Sequence, residues 1–194
     1  MQKSALAGAI LADAFLHYPL MLYAFNKQTE AQRSRCLYHL YNCCANACNK
    51  FGGLHVSDNH KAAIVWLSGK NFPLGLFREL QSGMATLPFK AGVKSTLRLV
   101  NHDAVSEGWI RRNAVEKMGY LWCVGVAASE RGKGYSRIII ENSITEMKAQ
   151  GLNEFWLKTE DPMNVAIYLK LGFDLVHEIT ANSSGIKTWI FRKS

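Results

Sequence analysis

Residues 124–137 read Val124-Gly125-Val126-Ala127-Ala128-Ser129-Glu130-Arg131-Gly132-Lys133-Gly134-Tyr135-Ser136-Arg137. An apolar run from Tyr120 to Val126 leads in and a helical pattern from Gly134 to Gln150 leads out, so the stretch is a strand, a small-residue turn and a helix start. A helix that opens this way leaves its first backbone N–H groups without intrahelical acceptors, at the positive end of its dipole. That geometry binds phosphate oxygens. Gly132 and Gly134 permit unusual backbone angles and keep Cβ atoms away, while Lys133 and Arg137 add positive charge at the rim. The turn is therefore read as a pyrophosphate cradle, although from the glycines alone an ordinary turn before a surface helix fits as well. No GKS or GKT follows, which excludes a Walker loop, and the third glycine of a dinucleotide fingerprint is missing. Gly125, inside the strand, predicts a bulge or a close backbone approach. A bulge would splay this strand from its neighbour and open a slot beside the phosphate site.

Outward from this stretch the texture is α/β. Upstream, helical spacing over 4–23 is interrupted by Pro19, and a second helix is predicted over 30–50, stopping at Gly52-Gly53. Leu54-His55-Val56 and Ala62-Ala63-Ile64-Val65-Trp66 read as a hairpin across Ser57-Asp58-Asn59-His60. Two further helices are predicted over 74–86 and 94–117. Downstream come a strand over 154–158, a helix over 162–171 and closing strands over 173–178 and 187–191. Strand, helix, strand, helix and strands predict a mixed sheet in one domain, 1–194.

The chain has 194 residues, 48 % of them hydrophobic, which suffices for a core without metal or disulfide staples. Its apolar runs fall short of the roughly 20 residues that span a bilayer, and no signal-peptide pattern opens it, so a cytoplasmic location with no membrane partner is the expectation. Five cysteines, three of them Cys43, Cys44 and Cys48 in one predicted helix, read as buried small hydrophobes in a reducing compartment, and no metal site is expected. The net charge of +8 suits an anionic partner without choosing one, and the basic residues form no nucleic-acid stripe.

Arg131-Gly132-Lys133-Gly134-Tyr135-Ser136 resembles the cofactor motif of the GCN5-related N-acetyltransferases: Gln or Arg, two residues, Gly, one residue, then Gly or Ala, with Ser as the last member here. Thr159 to Phe173, with Asn164, Tyr168 and Gly172-Phe173, resembles the family's second block, in the right order and spacing. Asp161 suits a helix cap and Pro162 the first helical position, and Asn164 and Tyr168, four apart, share a face. Ala14-Phe15, Tyr18-Pro19, 63–66 and Thr188-Trp189 look like the branch that contains puromycin N-acetyltransferase. The family opens with a short strand, whereas 1–11 here reads as helix. The resemblance implies a mixed, mostly antiparallel sheet flanked by helices, with a splayed central strand pair.

The resemblance further implies acetyl-CoA as cofactor, held by Arg131, Gly132, Lys133, Gly134, Tyr135, Ser136 and Arg137 at the pyrophosphate, by Val124, Gly125 and Val126 along the pantetheine arm, and by Asn164. Tyr168 would protonate the leaving thiolate as an amine attacks directly. The related branch often has a Glu where this chain has Lys158, which leaves the base open among Glu160, Glu107 and Glu116. Phe15, Tyr18, Tyr23, Trp66 and Phe72 are candidates for the acceptor pocket, and a shortage of carboxylates in the first half favours an aromatic or apolar primary amine over a polyamine. The expected partner is a small-molecule amine and no nucleic acid, with the chain a monomer or homodimer. A non-catalytic acyl-CoA sensor is the competing reading, and Tyr168 argues against it. A basic nucleic-acid module is a third, opposed by Glu146, Glu154, Glu160 and Asp161 around the best motifs.

Overall fold

The computed structural model describes residues 2–194. The chain opens with helix α1 (Lys3–Ala14), and Pro19 occupies the first turn of a separate short helix, α2 (Pro19–Ala24), where its missing N–H costs nothing. Helix α3 (Glu30–Phe51) starts at a capping box in which Thr29 and Gln32 satisfy each other's backbone N–H groups. Strands β1 (Gly52–Val56) and β2 (Ala62–Ser68) form the expected antiparallel hairpin. No strand precedes Gly52 among the described residues.

The helices predicted over 74–86 and 94–117 divide differently, into α4 (Leu76–Ser82), α5 (Leu87–Ala91) and α6 (Val93–Asn113). The reason is local: Gly83 at φ +88° ends α4, and Gly92 at φ +91° separates α5 from α6. There follow β3 (Met118–Val126), α7 (Tyr135–Ala149), β4 (Glu154–Thr159), α8 (Pro162–Lys170), β5 (Asp174–Thr180) and β6 (Lys187–Lys193).

The six strands lie in the order β1-β2-β3-β4-β6-β5, antiparallel except for the β3–β4 pair. Side chains alternate across this sheet and divide the core. Ala63, Val65 and Leu67 of β2, with Tyr120 and Cys123 of β3, pack beneath α1, α2, α3 and α6. Ala62, Ile64 and Trp66, with Leu121, Leu157 and Phe191, pack against Ile139, Ile140 and Met147 of α7 and Tyr168 of α8.

The β3–β4 ladder is short. It pairs Met118, Gly119 and Tyr120 with Glu154, Phe155 and Trp156 and then stops, although β3 runs on to Val126 and β4 to Thr159. This is the splayed central pair that the resemblance implies. The bulge beside it lies at Trp122 and not at Gly125: Val65 pairs with Cys123 while Trp66 pairs with Leu121, which leaves Trp122 unopposed. Gly125 is instead a close approach, since a Cβ there would fall 2.8 Å from Ala14 Cβ and 2.9 Å from Leu11 Cδ2. The strand is glycine at this point because α1 crosses it.

Candidate active site

The turn between β3 and α7 has the backbone that its glycines predict. Gly132 and Gly134 stand at φ +80° and +81°, and a Cβ at either would meet open space. Gly134 is the N-cap of α7, and no side chain caps that end, so the first-turn N–H groups face outward without intrahelical acceptors. Arg131 donates to the carbonyl of Ala14 at 2.7 Å and bolts the turn to α1. The two rim cations are less free than their charge suggests. Lys133 Nζ lies 3.0 Å from Glu130, and Arg137 Nε lies 2.9 Å from Glu141.

A groove of about 370 Å³ runs from this turn along the free edge of β3 to α8. Val124, Gly125, Val126, Arg131, Gly132, Gly134, Tyr135, Ser136, Asn164 and Tyr168 line it, whereas Lys133 and Arg137 do not. The residues present fit an extended cofactor with an anionic end: unfilled glycine positions, a bare helix N-terminus, and strand backbone left unpaired beyond Tyr120.

At the other end of the groove Asp161 caps α8 by accepting from the N–H of Met163 at 3.0 Å, with Pro162 next to it. One turn inside, Asn164 donates to Thr159 Oγ1 at 3.2 Å, and Tyr168 packs between Phe173 and Phe191. Burial, reinforced by the negative charge of Glu160, pushes the Tyr168 hydroxyl well above the usual phenol range. It is held protonated.

Beyond Tyr168 a second cavity, of about 270 Å³, reaches beneath the sheet toward α4 and α6. Phe15, Tyr18, Val124, Asn164 and Tyr168 line both spaces, so groove and cavity meet at a common wall. Of the residues considered for an acceptor pocket, Phe15, Tyr18 and Phe72 line this cavity, together with Tyr41 and Trp122. Tyr23 and Trp66 do not. Trp66 is fully buried on the opposite face of β2, and the Tyr23 hydroxyl donates to the carbonyl of Ser183 at 2.6 Å while Arg98 covers its ring. The cavity wall also carries Glu79, Asp103 and Glu107, so the shortage of carboxylates read from the first half of the chain is corrected by folding.

Between the two spaces lies a buried polar knot. Glu160 accepts from Tyr18 at 3.0 Å and Thr188 at 3.2 Å, and lies 3.4 Å from both His102 Nε2 and Lys158 Nζ. Lys158 also pairs with Asp103. Burial alone would raise the Glu160 carboxyl, but Lys158, His102 and Tyr18 outweigh it and hold the group at about 2. For Lys158 the balance runs the other way in sign: burial disfavours its charge, and Asp103 and Glu160 more than restore it. His102, Asp103 and Glu160 bring ligand-type atoms within 4.8 Å of one another, but the Lys158 ammonium already pairs with both carboxylates.

Of the other carboxylates, Glu107 is half-buried on the cavity wall with no ion pair or side-chain hydrogen bond among the described residues, and burial, with the like charge of Asp103, pushes it up to about 8. Glu116 is exposed beyond the end of α6, outside the cavity. Sequence reasoning missed Asp103, His102 and Thr188 because nothing local marks them. Only the fold carries α6 and β6 to the end of β4.

Residues 96–173 match the model of the acetyltransferase (GNAT) family. That segment, from within α6 to just before β5, holds both the glycine turn and the Asn164–Tyr168 block, and the family match agrees with the fold and with a relative in sequence. Over 174 residues the chain is 26 % identical to an uncharacterized N-acetyltransferase of Schizosaccharomyces pombe, covering 86 % of this chain and 69 % of that one. The polyamine N-acetyltransferase of Drosophila melanogaster, which forms N-acetylagmatine, has the same fold at a TM-score of 0.62 and 16 % identity, covering 99 % of this chain and 94 % of that one. The C-terminal condensation domain of Ebony, solved with beta-alanyl-dopamine, gives 0.64 at 10 % identity, over 98 % and 93 %. At these identities the likeness establishes the fold. Against other solved acetyltransferases the match covers 38–41 % of this chain and about half of theirs, 49–56 %.

Proposed function

We propose that the protein transfers the acetyl group of acetyl-CoA directly to the primary amine of a small molecule. One observation carries this reading: the groove that fits a cofactor and the cavity that fits an acceptor share a wall, and Tyr168 stands in it. When bound, acetyl-CoA supplies an activated thioester and a thiol with a pKa near 8.5 or above, already a fair leaving group. Gly132, Gly134, Tyr135 and Ser136 would hold its pyrophosphate through backbone N–H groups, with Arg131 fixing the turn. The backbone of Val124, Gly125 and Val126 would pair with its arm, and Asn164 would steady it. Lys133 and Arg137 contribute field more than contact.

The chain's own residues divide the proton work. Tyr168, held protonated, is a donor only, and it serves the departing sulfur. Glu160 is saturated with donors and stays ionised, so it fixes Tyr18 and Lys158 in place and does not accept a proton. The acceptor must lose one, and Glu107, poised at about 8 in the same cavity, takes it through water. Most of the acceleration comes from holding the two reactants in one channel.

Aromatic rings and aliphatic side chains line most of the cavity, which suits an amine carried on an apolar body. Calorimetric titration with acetyl-CoA tests the first half of the proposal. Micromolar binding by the wild type and none by Gly134→Glu is the expected result, and absence of binding by the wild type sinks the reading. Thiol release across a panel of primary amines, spermidine included, tests the second half.

A further inference from the structure

Helices α4, α5 and α6 expose apolar side chains, of which only Val100 also borders the acceptor cavity. Phe89 is 88 % exposed, Leu76 72 % and Phe77 71 %, and Leu80, Val93, Leu97 and Val100 are exposed as well. These seven lie within residues 76–100, yet they make up nearly half of the sixteen exposed large apolar side chains among the described residues. Of the others, Met163, Ile167 and Leu169 lie on α8 beside the cofactor groove, and the remaining six are spread along the chain. Leu76 and Leu80 are one turn apart on α4, and Val93, Leu97 and Val100 follow the i, i+4, i+7 spacing of one face of α6. Exposed apolar clusters of this kind mark contact with a partner or a membrane.

The charges around them choose the partner. Between residues 76 and 100 the basic residues are Arg78, Lys90, Lys94 and Arg98, and the single acidic residue, Glu79, lines the cavity. Lys90 and Lys94 are exposed and pair with no carboxylate among the described residues. A second copy would bring the same cations against them, in a chain of net charge +8. An anionic surface neutralises them while taking up the apolar side chains, and helices with this division of residues lie in the interfacial plane of a bilayer.

We propose that the α4–α6 face docks on an anionic lipid surface. Among the described residues no helix is long and apolar enough to cross a membrane, so the contact is peripheral. The expectation of no membrane partner followed from the lack of a spanning run, which says nothing about a side-on contact. Met84, Leu87 and Val100 of the same segment line the acceptor cavity, so docking sets the mouth of that cavity at the lipid surface.

Co-sedimentation of the full chain with vesicles tests this. The expected result is binding to vesicles of phosphatidylcholine with phosphatidylserine, little binding to phosphatidylcholine alone, and loss on raising the salt. Phe77→Asp with Phe89→Asp weakens the partition at least about tenfold, and Lys90→Glu with Lys94→Glu does so in the anionic vesicles only. Neither pair lines the groove or cavity, and unchanged calorimetric binding of acetyl-CoA confirms that each variant is folded. No binding to anionic vesicles, or binding that survives the Phe77 and Phe89 changes, overturns the proposal. So does sedimentation velocity that finds a dimer dissociated by those same two changes, which assigns the face to a second copy.

Discussion

Tyr18 and Glu160, 142 residues apart in sequence, exchange two hydrogen bonds. The Tyr18 hydroxyl donates to Glu160 Oε2 at 3.0 Å and accepts from the Glu160 backbone N–H at 2.6 Å. The pair ties the start of α2 to the end of β4, where groove and cavity meet. It also completes the set of donors around a carboxylate that is almost wholly buried.

Glu160→Gln therefore removes the charge that Lys158 and His102 face. Breaking one side of a buried ionic cluster costs about 3–5 kcal/mol, and urea unfolding at neutral pH should show a loss of that order. The pH dependence has a definite sign. The folded Glu160 titrates at about 2, below its ordinary 4.5, so its contribution is present above 4.5 and lost as pH falls toward 2. The difference between wild type and variant should shrink across that window. A constant difference down to pH 2 would show that the ion pairs do not carry the effect.

Tyr168→Phe separates an enzyme from a cofactor-binding sensor. The ring packs on Phe173 and Phe191, and no hydrogen bond among the described residues depends on the hydroxyl, so stability and acetyl-CoA affinity should stay near wild type. The rate constant kcat should fall by about 10²–10⁴-fold, the range for loss of a positioned proton donor. Full turnover by this variant would remove Tyr168 from the chemistry.

Much of this site was legible before folding. The glycine turn, the Asn164–Tyr168 face and every strand of the sheet follow from spacing, because backbone conformation and helix faces are local properties. Pocket composition is not local. Tyr23 and Trp66 had the right chemistry but stand outside the cavity, and Trp66 is removed by strand parity alone. Asp103 and Glu107 became wall residues only when α6 packed beneath β4. Glycine in a strand signals either a bulge or a close approach, and at Gly125 it is the close approach to α1, whereas the bulge falls on Trp122, whose residue type gives no such signal.

Glu107→Gln should change both the rate and the stability profiles. In the wild type the rate should rise with pH through about 8, as the carboxylate becomes available, and the variant should lose that rise. Since the folded pKa lies above the ordinary 4.5, the native state binds this proton more tightly than the unfolded chain does. Stability from this group then declines as pH rises from 4.5 to 8. Thermal unfolding should find Glu107→Gln gaining on the wild type toward pH 9 and not at pH 4. An unaltered rate profile would leave solvent as the proton acceptor.

Gly125→Ala and Gly132→Ala test what each glycine is for. At Gly125 the added methyl meets Ala14 Cβ at 2.8 Å and Leu11 Cδ2 at 2.9 Å, contacts too short to survive, so α1 must shift. Overpacking of this kind costs about 1–3 kcal/mol, a fall in Tm of roughly 2–4 °C for each kcal/mol in a chain of this size. The same shift moves Ala14, whose carbonyl anchors Arg131, and Phe15, which lines both spaces, so acetyl-CoA should bind more weakly as well. At Gly132 the methyl meets nothing, and the cost is the positive φ alone, about 1–2 kcal/mol. If the turn cradles the pyrophosphate as proposed, an alanine there should impair cofactor binding far more than its small effect on Tm. Equal losses of affinity from the two variants would mean that the turn holds the cofactor only through its attachment to α1.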